Sequence, residues 1–543
     1  MDIWFGGKIY TMVEEGAWEE AVVVEDGMII DTGSTHTLYS RYEDRIEEEH
    51  NLNGAVMYPG FTDSHLHMIM HGERLLRLDL SFMKSKQEVL QALKQRAGST
   101  PAGEWVIGEG FNENQWKEKT PLHKAELDEV STEHPIMLSR ICRHALVANS
   151  KAIDLAGVDK TTPDPQGGKV EKDEKGLNGL FHDEAQDYIK KAMPEVSSAY
   201  LEEALTQAVE DMYSRGLVGG HTEDLYYYGG FRKTLDAFHR VIDGTKRKFR
   251  ANLLVHHKAI DEMEASGLSF GDGTAYVELG AMKIFSDGAL GGRTAWLTAP
   301  YEDDPSQEGM MIHSGKDLDH LFEKARQKRM PVAVHAIGDG AVEAVVERME
   351  RYPVEQGGRD RIIHAQILND GLMERLKKLP VVLDIQPSFV ASDFPWVIDR
   401  LGEDRLKKSY AWKTLYDKGI LLAGGSDAPI EEVNPLMGIR AAVDRRATED
   451  YKVYQEEERL SMYEAVSLYT KGSALATGKE KEQGMIREGY LADFTILDRD
   501  LFSLAPYEVS DAVVLMTVVD GEIMYEKGVT SPVSFAGYDI SNH

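Results

Sequence analysis

The chain has 543 residues, enough for a large α/β domain together with a smaller one. Its 61 Lys and Arg residues against 92 Asp and Glu residues give a formal net charge of −31, with a sequence pI near 5.0. A surface with this charge repels phosphate backbones and anionic lipid, which argues against nucleic-acid and membrane partners.

The number of cysteines and the first residues of the sequence give an expectation for the cellular compartment. Cys142 is the only cysteine, so an intrachain disulfide is impossible, which is consistent with a reducing environment. The first residues lack the basic and apolar segments of a signal peptide, and no apolar run approaches the roughly 18 residues that span a bilayer. We therefore expect a cytoplasmic protein. Methionine and tyrosine residues scattered along the helices permit a homodimer without requiring one.

β-Strand patterns lie at both ends of the chain. Near the N-terminus, two β-rich runs flank Asp26-Gly27, which is a strong signal for a hairpin with a two-residue turn. A similar pattern near the C-terminus turns at Asp520-Gly521. Because neither end has enough strands to bury a sheet face alone, we predict one small composite β-sandwich domain from residues 1–57 and 485–543.

Between these ends, over residues 58–484, apolar strands alternate with amphipathic helices. This pattern is typical of an α/β fold with a parallel sheet covered by helices. Eight such strands are predicted, the number in a (β/α)8, or TIM, barrel. They are the strand carrying His65 and the segments 217–222, 250–256, 280–285, 331–335, 361–364, 381–385 and 420–427.

The alternation is interrupted once, after the first barrel strand. About 150 residues separate His67 from the second strand, which is too long for one helical crossover. This stretch has its own helical pattern over 86–97 and apolar strand patterns over 105–108 and 135–138. We predict that residues 75–196 form an inserted subdomain over the barrel mouth.

Residues suited to metal chemistry fall at the ends of the predicted barrel strands, where TIM-barrel active sites lie. A single histidine there is more often a core residue, but a set at the expected ends favours a metal centre. Neutral imidazoles bind zinc well, and a carboxylate can both bind a metal and accept a proton from metal-activated water. The candidates are His65, His67, Lys283, His335, His364 and Asp427.

The run Pro59 to His67 resembles the first-strand motif of the amidohydrolase superfamily, written P-G-F-x-D-x-H-x-H. With the later runs, the chain more closely resembles the amidohydrolase 3, or YtcJ-like, group, which includes N-substituted formamide deformylases. The resemblance extends over nearly the full length. Its other matching runs are Met282 to Gly288, Val334 to Asp339, Ile363 to Gln366 and Gly425 to Pro429.

The resemblance implies a centre with one or two divalent metal ions, with zinc as the expected metal. By that likeness His65 and His67 hold the buried ion together with Asp427. His335 and His364 hold the second ion.

Lys283 has a special role in this likeness, because it would bridge the two ions after CO2 adds to its amine. A free lysine, with a pKa of about 10.4, would repel two dications. A carboxylated lysine is an anion with two oxygen atoms and can bind both. The alternative is a lysine that stays free beside a single metal.

These features predict a metal-dependent amidohydrolase that acts on carbon–nitrogen bonds other than peptide bonds. Metal-activated hydroxide would attack a metal-polarised carbonyl of a small amide, in first place an N-substituted amide or formamide. Asp427 would accept the proton from the nucleophile and deliver it to the leaving nitrogen. Lys283 is the second catalytic candidate.

Three alternatives remain open. A lactonase or esterase of the same superfamily would use the same metals. A deaminase of the superfamily often has a glutamate just after a barrel histidine. No glutamate occurs in residues 336–338 after His335 or in residues 365–367 after His364. A non-catalytic binding protein on a retired hydrolase fold should have lost ligands, and none is missing.

The candidate substrate residues support two kinds of amide. The aromatic residues Trp116 and Phe389 would favour an apolar N-substituent near the barrel mouth. Arg143 and Arg293 would instead suit the carboxylate of an acyl amino acid, because a guanidinium binds carboxylate in a bidentate way. His144 is a further candidate beside Arg143. We rank the apolar amide first, since either arginine is equally well explained as a structural residue.

Overall fold

A computed structural model describes residues 1–117, 119–140, 144–165, 167–174, 176–194 and 196–529. The candidate Arg143 lies outside the described residues. The chain divides into two compact units, one formed by Met1–Met70 with Leu201–His543 and the other by His71–Tyr200.

The strands of the described residues form three sheets. In chain order they are β1 Asp2–Tyr10, β2 Trp18–Glu25, β3 Met28–Gly33, β4 Glu48–Asn51, β5 Val56–Pro59, β6 Phe61–Leu66, β7 Leu78–Asp79, β8 Val106–Phe111, β9 Ile136–Arg140, β10 Ala145–Ala148, β11 Gly168–Asp173, β12 Gly176–Asp183, β13 Leu217–Thr222, β14 Arg250–His256, β15 Val277–Phe285, β16 Val332–Ala336, β17 Asp360–His364, β18 Val381–Ile385, β19 Leu421–Gly424, β20 Phe494–Leu497, β21 Val514–Val519 and β22 Glu522–Glu526.

The α-helices connect and cover these strands. They are α1 Thr35–Tyr42, α2 Met68–Leu76, α3 Lys86–Ser99, α4 Lys124–Asp128, α5 Ser150–Leu155, α6 Gln186–Lys190, α7 Ser198–Ser214, α8 Phe231–Val241, α9 Ile260–Ala265, α10 Gly315–Gln327, α11 Asp339–Arg351, α12 Asp370–Leu376, α13 Ser388–Asp393, α14 Trp396–Leu406, α15 Trp412–Asp417, α16 Pro435–Asp444, α17 Met462–Ser467 and α18 Ser473–Thr477. No helix among the described residues is long and apolar enough to cross a membrane.

The central sheet consists of β6 followed by β13 to β19, in chain order and with every neighbouring pair parallel. Its first and last strands approach each other, because the Asp427 amide donates to the His65 carbonyl oxygen at 2.8 Å. The His67 amide likewise donates to the Ala428 carbonyl oxygen at 2.8 Å. The predicted TIM barrel is confirmed, and β13, β14 and β18 have the predicted bounds.

Both chain ends contribute to the second sheet, whose order is β22-β21-β20-β5-β1-β2-β3, with β4 paired to β1. Strand β5 lies between β1 and β20, so strands from the two ends are direct neighbours. The hairpin between β2 and β3 turns at Asp26 and Gly27, both with positive φ (50° and 75°), as a type I′ turn requires. The prediction of one β domain built from both termini is confirmed.

The insertion is a compact unit with its own sheet, ordered β11-β12-β10-β9-β8-β7. Helix α3 packs on this sheet through Val89, Leu93 and Ala97, which share one face of the helix. Helix α3 and strands β8 and β9 begin within about one residue of the starts that the sequence predicted. The placement of this unit over the barrel mouth stays a prediction.

A buried ion-pair cluster connects the barrel to the terminal sheet. Arg250 at the start of β14 donates to both carboxylate oxygens of Asp493, at 2.5 and 2.9 Å, and to Asp520 at 2.9 Å. Its side chain is only 10 % exposed. These contacts place two carboxylates around one guanidinium, so the cluster depends on the arginine charge.

We expect Arg250→Met to lower the free energy of unfolding by about 3 kcal/mol, because Asp493 would stay buried without its cation and Asp520 would keep only Lys248 at 3.8 Å. The shift in the midpoint of urea denaturation measures this loss. Adding Asp493→Asn to the variant should recover part of the stability by removing one unpaired charge. A single variant as stable as the parent would contradict a structural role for the cluster.

Candidate metal centre

The first group of candidate ligands forms where the barrel closes. His65 lies in β6 and His67 just after it, while Asp427 follows β19. The Nε2 atoms of His65 and His67 lie 3.5 and 3.4 Å, respectively, from the Asp427 Oδ1 atom. One ligand atom from each of the three residues lies within 4.8 Å of the others, close enough to share one metal ion.

A second pair of imidazoles lies beside this group. His335 in β16 and His364 at the end of β17 have their rings 4.5 Å apart, and His364 Nε2 is 3.0 Å from His335 Nδ1. The His364 ring is also 6.0 Å from the His65 ring. The two pairs of histidines are therefore neighbours at the C-terminal end of the barrel.

Lys283 completes the set from β15. Its side chain is fully buried, and Nζ lies 3.2 Å from His65 Nε2. The ammonium also lies 4.5 Å from the centre of the Phe285 ring. The structure thus brings all six sequence-predicted ligands into one cluster, although they come from five different strands or strand ends.

Hydrogen bonds on the outer side of three imidazoles orient them toward the cluster. In a neutral imidazole, an N–H that donates outward leaves the lone pair of the other ring nitrogen facing inward, as a metal ligand requires. His67, whose pKa is raised by Asp427, offers this lone pair after it loses its second proton. The outward bonds run from His67 Nδ1 to the Glu223 carbonyl at 2.9 Å, from His335 Nε2 to the Gly288 carbonyl at 3.1 Å, and from His364 Nδ1 to Gln386 Oε1 at 2.7 Å.

Burial keeps three of the histidines neutral. Desolvation, followed by the charge of Lys283, lowers the pKa of His65 well below its ordinary value. Desolvation also lowers the pKa of His335 well below that value, and it lowers the pKa of His364 to about 4. These three imidazoles therefore offer lone pairs rather than protons at neutral pH.

His67 and Asp427 behave as a pair. Burial opposes the charged form of His67, but the hydrogen bond and charge of Asp427 outweigh it and raise the pKa of His67 to about 9. Burial likewise acts against the ionised form of Asp427, and the contacts with His67 and His364 still lower its pKa. Asp427 is therefore a carboxylate that already stabilises positive charge at the place where a cation would bind.

The backbone at the closure of the barrel is held by Asp63 from β6. Its carboxylate accepts the His65 amide at 3.0 Å, the Ser426 amide at 3.0 Å and the Ser426 hydroxyl at 2.6 Å. The neighbouring Gly425 is required here, since a Cβ would lie 2.6 Å from the His65 nitrogen. Asp427 itself adopts a left-handed conformation, with φ of 57°.

Glu223 is a charged residue of the centre that the sequence analysis missed. It follows β13 directly, is fully buried, and has Oε2 3.8 Å from His67 Nδ1. Burial raises its pKa to about 7, while the charges of His67 and Lys283 act in the opposite direction. Its position at the end of the second barrel strand was the available signal, because catalytic residues of TIM barrels occur there.

Two predicted substrate residues lie in the unit that contains the barrel. Phe389 is buried and stacks on the His364 ring, with centres 6.0 Å apart and an angle of 12°. Arg293 makes a bidentate ion pair with Asp303 at 3.0 and 2.8 Å. The guanidinium that was expected to receive a substrate carboxylate therefore already binds one.

Two others lie in the insertion unit. Trp116 is 1 % exposed within the core of this unit, and its indole N–H donates to the Met83 carbonyl at 3.2 Å. A side chain enclosed in this way packs the core and is not available to a substrate, which corrects its assignment. His144 is largely exposed and hydrogen-bonds to Asp183 at 2.9 Å.

A TIM barrel with this set of side chains at the C-terminal ends of its strands is typical of metal-dependent hydrolases. Residues 48–525 match the family described as the amidohydrolase family, and the chain belongs to that family. The family predicted from the sequence is therefore confirmed. The chain is accordingly a metal-dependent hydrolase of the amidohydrolase superfamily.

Relatives match over nearly the whole chain. The Bacillus subtilis (strain 168) protein YtcJ, whose name calls it an amidohydrolase, is 53% identical over 97% of this chain and 99% of its own. An N-substituted formamide deformylase from Arthrobacter pascens is 26% identical over 96% of this chain and 97% of its own. The crystal structure of an uncharacterized metal-dependent hydrolase from Pyrococcus horikoshii OT3 superposes with a TM-score of 0.79 at 29% identity, covering 93% of this chain and 99% of that one.

We expect Asp427→Asn to weaken divalent metal binding by at least about tenfold, because the amide removes the anion that faces His65 and His67. Metal content after dialysis against a zinc buffer of fixed free concentration measures this loss. The matched control is Asp303→Asn, which alters an aspartate outside the cluster and should keep the metal content of the parent protein. Unchanged zinc content in Asp427→Asn would contradict its assignment as a ligand.

Proposed function

We propose that this protein hydrolyses the carbon–nitrogen bond of a small non-peptide amide, with an N-substituted amide or formamide as the first substrate class. The observation that carries the proposal is the convergence of Lys283, four histidines and Asp427 at one end of the barrel. The similarity to an N-substituted formamide deformylase along nearly the whole chain supports the same bond type.

The donor set fits one or two divalent ions, for which we propose zinc. His65, His67 and Asp427 would hold one ion, and His335 with His364 would hold the other. Imidazole nitrogens with inward lone pairs and an ionised carboxylate are ligands that zinc favours. When bound, the metal supplies a lower pKa for water and a polarised carbonyl.

Asp427 is the residue that moves the proton. Its lowered pKa keeps it ionised at neutral pH, so it can accept a proton from the attacking water. Its side chain is 13 % exposed, which leaves room for a substrate to approach. The same carboxyl group would then donate the proton to the leaving nitrogen, so that the amine departs neutral.

We also propose that Lys283 is carboxylated. Desolvation lowers the pKa of Lys283 to about 8, although the charges of Glu223 and Asp427 act against this shift. A larger fraction of the amine is therefore neutral, and only the neutral amine can attack the carbon of CO2. The new N–C bond gives a carbamate and releases one proton from the neutral amine. Together with the proton that the ammonium lost first, two protons leave, and a buried cation becomes an anion.

The aromatic surroundings support an apolar N-substituent. Phe389 lies on His364, and Phe285 has its ring centre 5.4 Å from that of His335. The Phe285 ring is partly exposed and offers contact area to a hydrocarbon group, whereas the buried Phe389 ring packs against His364. The alternative based on Arg293 loses its support because that guanidinium is paired with Asp303.

The proposed reaction is tested with the zinc-loaded protein and a matched set of amides, lactones and aminopurines. We expect turnover of N-substituted formamides such as N-benzylformamide, detected as released amine. Asp427→Asn should reduce kcat by at least about a hundredfold while the far-UV circular dichroism stays unchanged. Hydrolysis of the lactones with no release of amine from any amide would replace the amidase with a lactonase.

The carbamate gives a separate prediction. Lys283→Ala should lose most of the activity and much of the bound metal, because the bridging anion is missing. Added acetate or propionate should restore part of both by occupying the position of the carbamate, whereas a neutral amide of equal size should restore neither. A high-resolution crystal structure of the active, metal-loaded enzyme with an unmodified amine at Lys283 would rule out the carbamate.

A further inference from the structure

An array of aromatic and imidazole rings lies at the last residues of β14 and β15 and on the loops that follow β13, β14 and β15. The rings are in successive contact, and several of them stack. The contacts between ring centres are Tyr226 to His256 at 4.6 Å, His256 to His257 at 4.4 Å, His257 to His313 at 5.1 Å, Tyr226 to Tyr227 at 5.6 Å and His256 to Phe285 at 6.0 Å. We refer to these six residues as the ring array.

The ring array touches the candidate metal centre at two places. Phe285 lies 5.4 Å from the ring of His335 and 4.5 Å from Lys283 Nζ. At the other place, the Tyr227 hydroxyl interacts with the Glu223 carboxylate, which lies against His67. A group on a substrate bound at the metal centre can therefore reach the array without leaving the C-terminal end of the barrel.

One side of the ring array is open to solvent and carries a free cation. Tyr226 and Tyr227 are 39% and 46% exposed, which is high for tyrosines in a stacked cluster. The exposed Lys258 ammonium lies 5.4 Å from the Tyr226 ring. No carboxylate among the residues that the structure describes forms an ion pair with Lys258.

Two lysines near this cation are paired with acidic residues of α9. Lys324 of α10 pairs with Asp261 at 2.6 Å, and Lys328, just after α10, pairs with Glu264. Lys258 is also held in place, because its amide donates to His256 Nδ1 at 3.2 Å.

The imidazoles of His256 and His257 beside Lys258 are neutral at pH 7, so the lysine is the cation at this place. Burial lowers the pKa of His256 to about 3 and that of His257 to about 4, and in both cases positive neighbours that include Lys258 add to the effect. The carboxylates that act on the array are Asp317 near His313, and Glu223 and Asp224 near Tyr227. None of these three forms an ion pair with Lys258.

We propose that Lys258 and Tyr226 form a substrate subsite for a carboxylate group carried by the amide substrate. One ammonium matches one negative charge, and the open tyrosine ring offers apolar contact to the carbon atoms that bear it. This inference rests on the proposed amide hydrolysis and deepens it. It also transfers the carboxylate-binding role from Arg293, which is already paired, to a residue that the sequence analysis did not single out.

The test compares two substrates that differ only in the carboxylate, N-acetylphenylalanine in both enantiomers and N-acetylphenethylamine, with the zinc-loaded enzyme. We expect kcat/KM to favour one enantiomer of the carboxylate substrate over the neutral amide. In Lys258→Met this advantage should fall by about tenfold or more, mainly through KM, with less than about a twofold change for the neutral amide. Lys258→Arg keeps the charge and should retain most of the advantage.

The matched control is Lys324→Met, which removes the same charge from a lysine that is paired with Asp261. It should leave the ratio of the two substrates unchanged. A parent enzyme that prefers the neutral amide, or an equal loss for both substrates in Lys258→Met, would overturn the subsite.

The failure of the proposed function can be separated from failure of the subsite. If the parent enzyme hydrolyses neither amide, binding of N-acetylphenylalanine to the zinc-loaded protein, measured by calorimetry or ligand-observed NMR, decides the subsite. The amidase proposal fails as well only if N-benzylformamide and the other amides of the set also release no amine. Binding that weakens at least about fivefold in Lys258→Met but not in Lys324→Met supports it. Binding that is absent, or equal in parent and Lys258→Met, overturns it.

Discussion

The contact on which the site depends is the hydrogen-bonded closure between the first and last barrel strands. Asp63 holds the backbone of His65 and of Ser426 at the same time, and the amide of Asp427 donates back to the His65 carbonyl. Burial raises the pKa of Asp63 to about 7, against which its hydrogen bonds act. A protein accepts such a costly buried carboxylate where it positions other groups, and here it places two histidines and an aspartate around one point.

The barrel interior buries several charges, and those at the metal centre and directly beneath it face opposite charges. Beneath the metal centre, Arg361 donates to Asp384 at 2.8 Å and to the Ser64 carbonyl at 2.5 Å, next to the ligand His65. At the centre itself, Lys283 and His67 face Asp427 and Glu223. Bound cations and a carboxylated lysine would rearrange this balance without creating an unpaired charge, which is why the proposed chemistry suits the site.

The six candidate ligands and the fold class could be predicted from the sequence, because local rules are sufficient for both. Strand and helix periods are visible in short windows, and parallel strands separated by helices place their C-terminal ends on one side. A histidine or aspartate at such an end is therefore directed to the active-site end before any coordinate is known. The hairpin at Asp26-Gly27 followed from turn chemistry in the same way.

What the tertiary structure decided is which polar groups are already in use and which remain free. Arg293 and Lys258 look alike in the sequence as isolated basic residues, yet Asp303 occupies the first and no described carboxylate pairs with the second. Trp116 was a plausible aromatic contact until its burial in the core of the insertion was known, and the contact of Glu223 with His67 became visible in the structure. Pairing and burial depend on residues far apart in the chain, and no local pattern in the sequence records those distances.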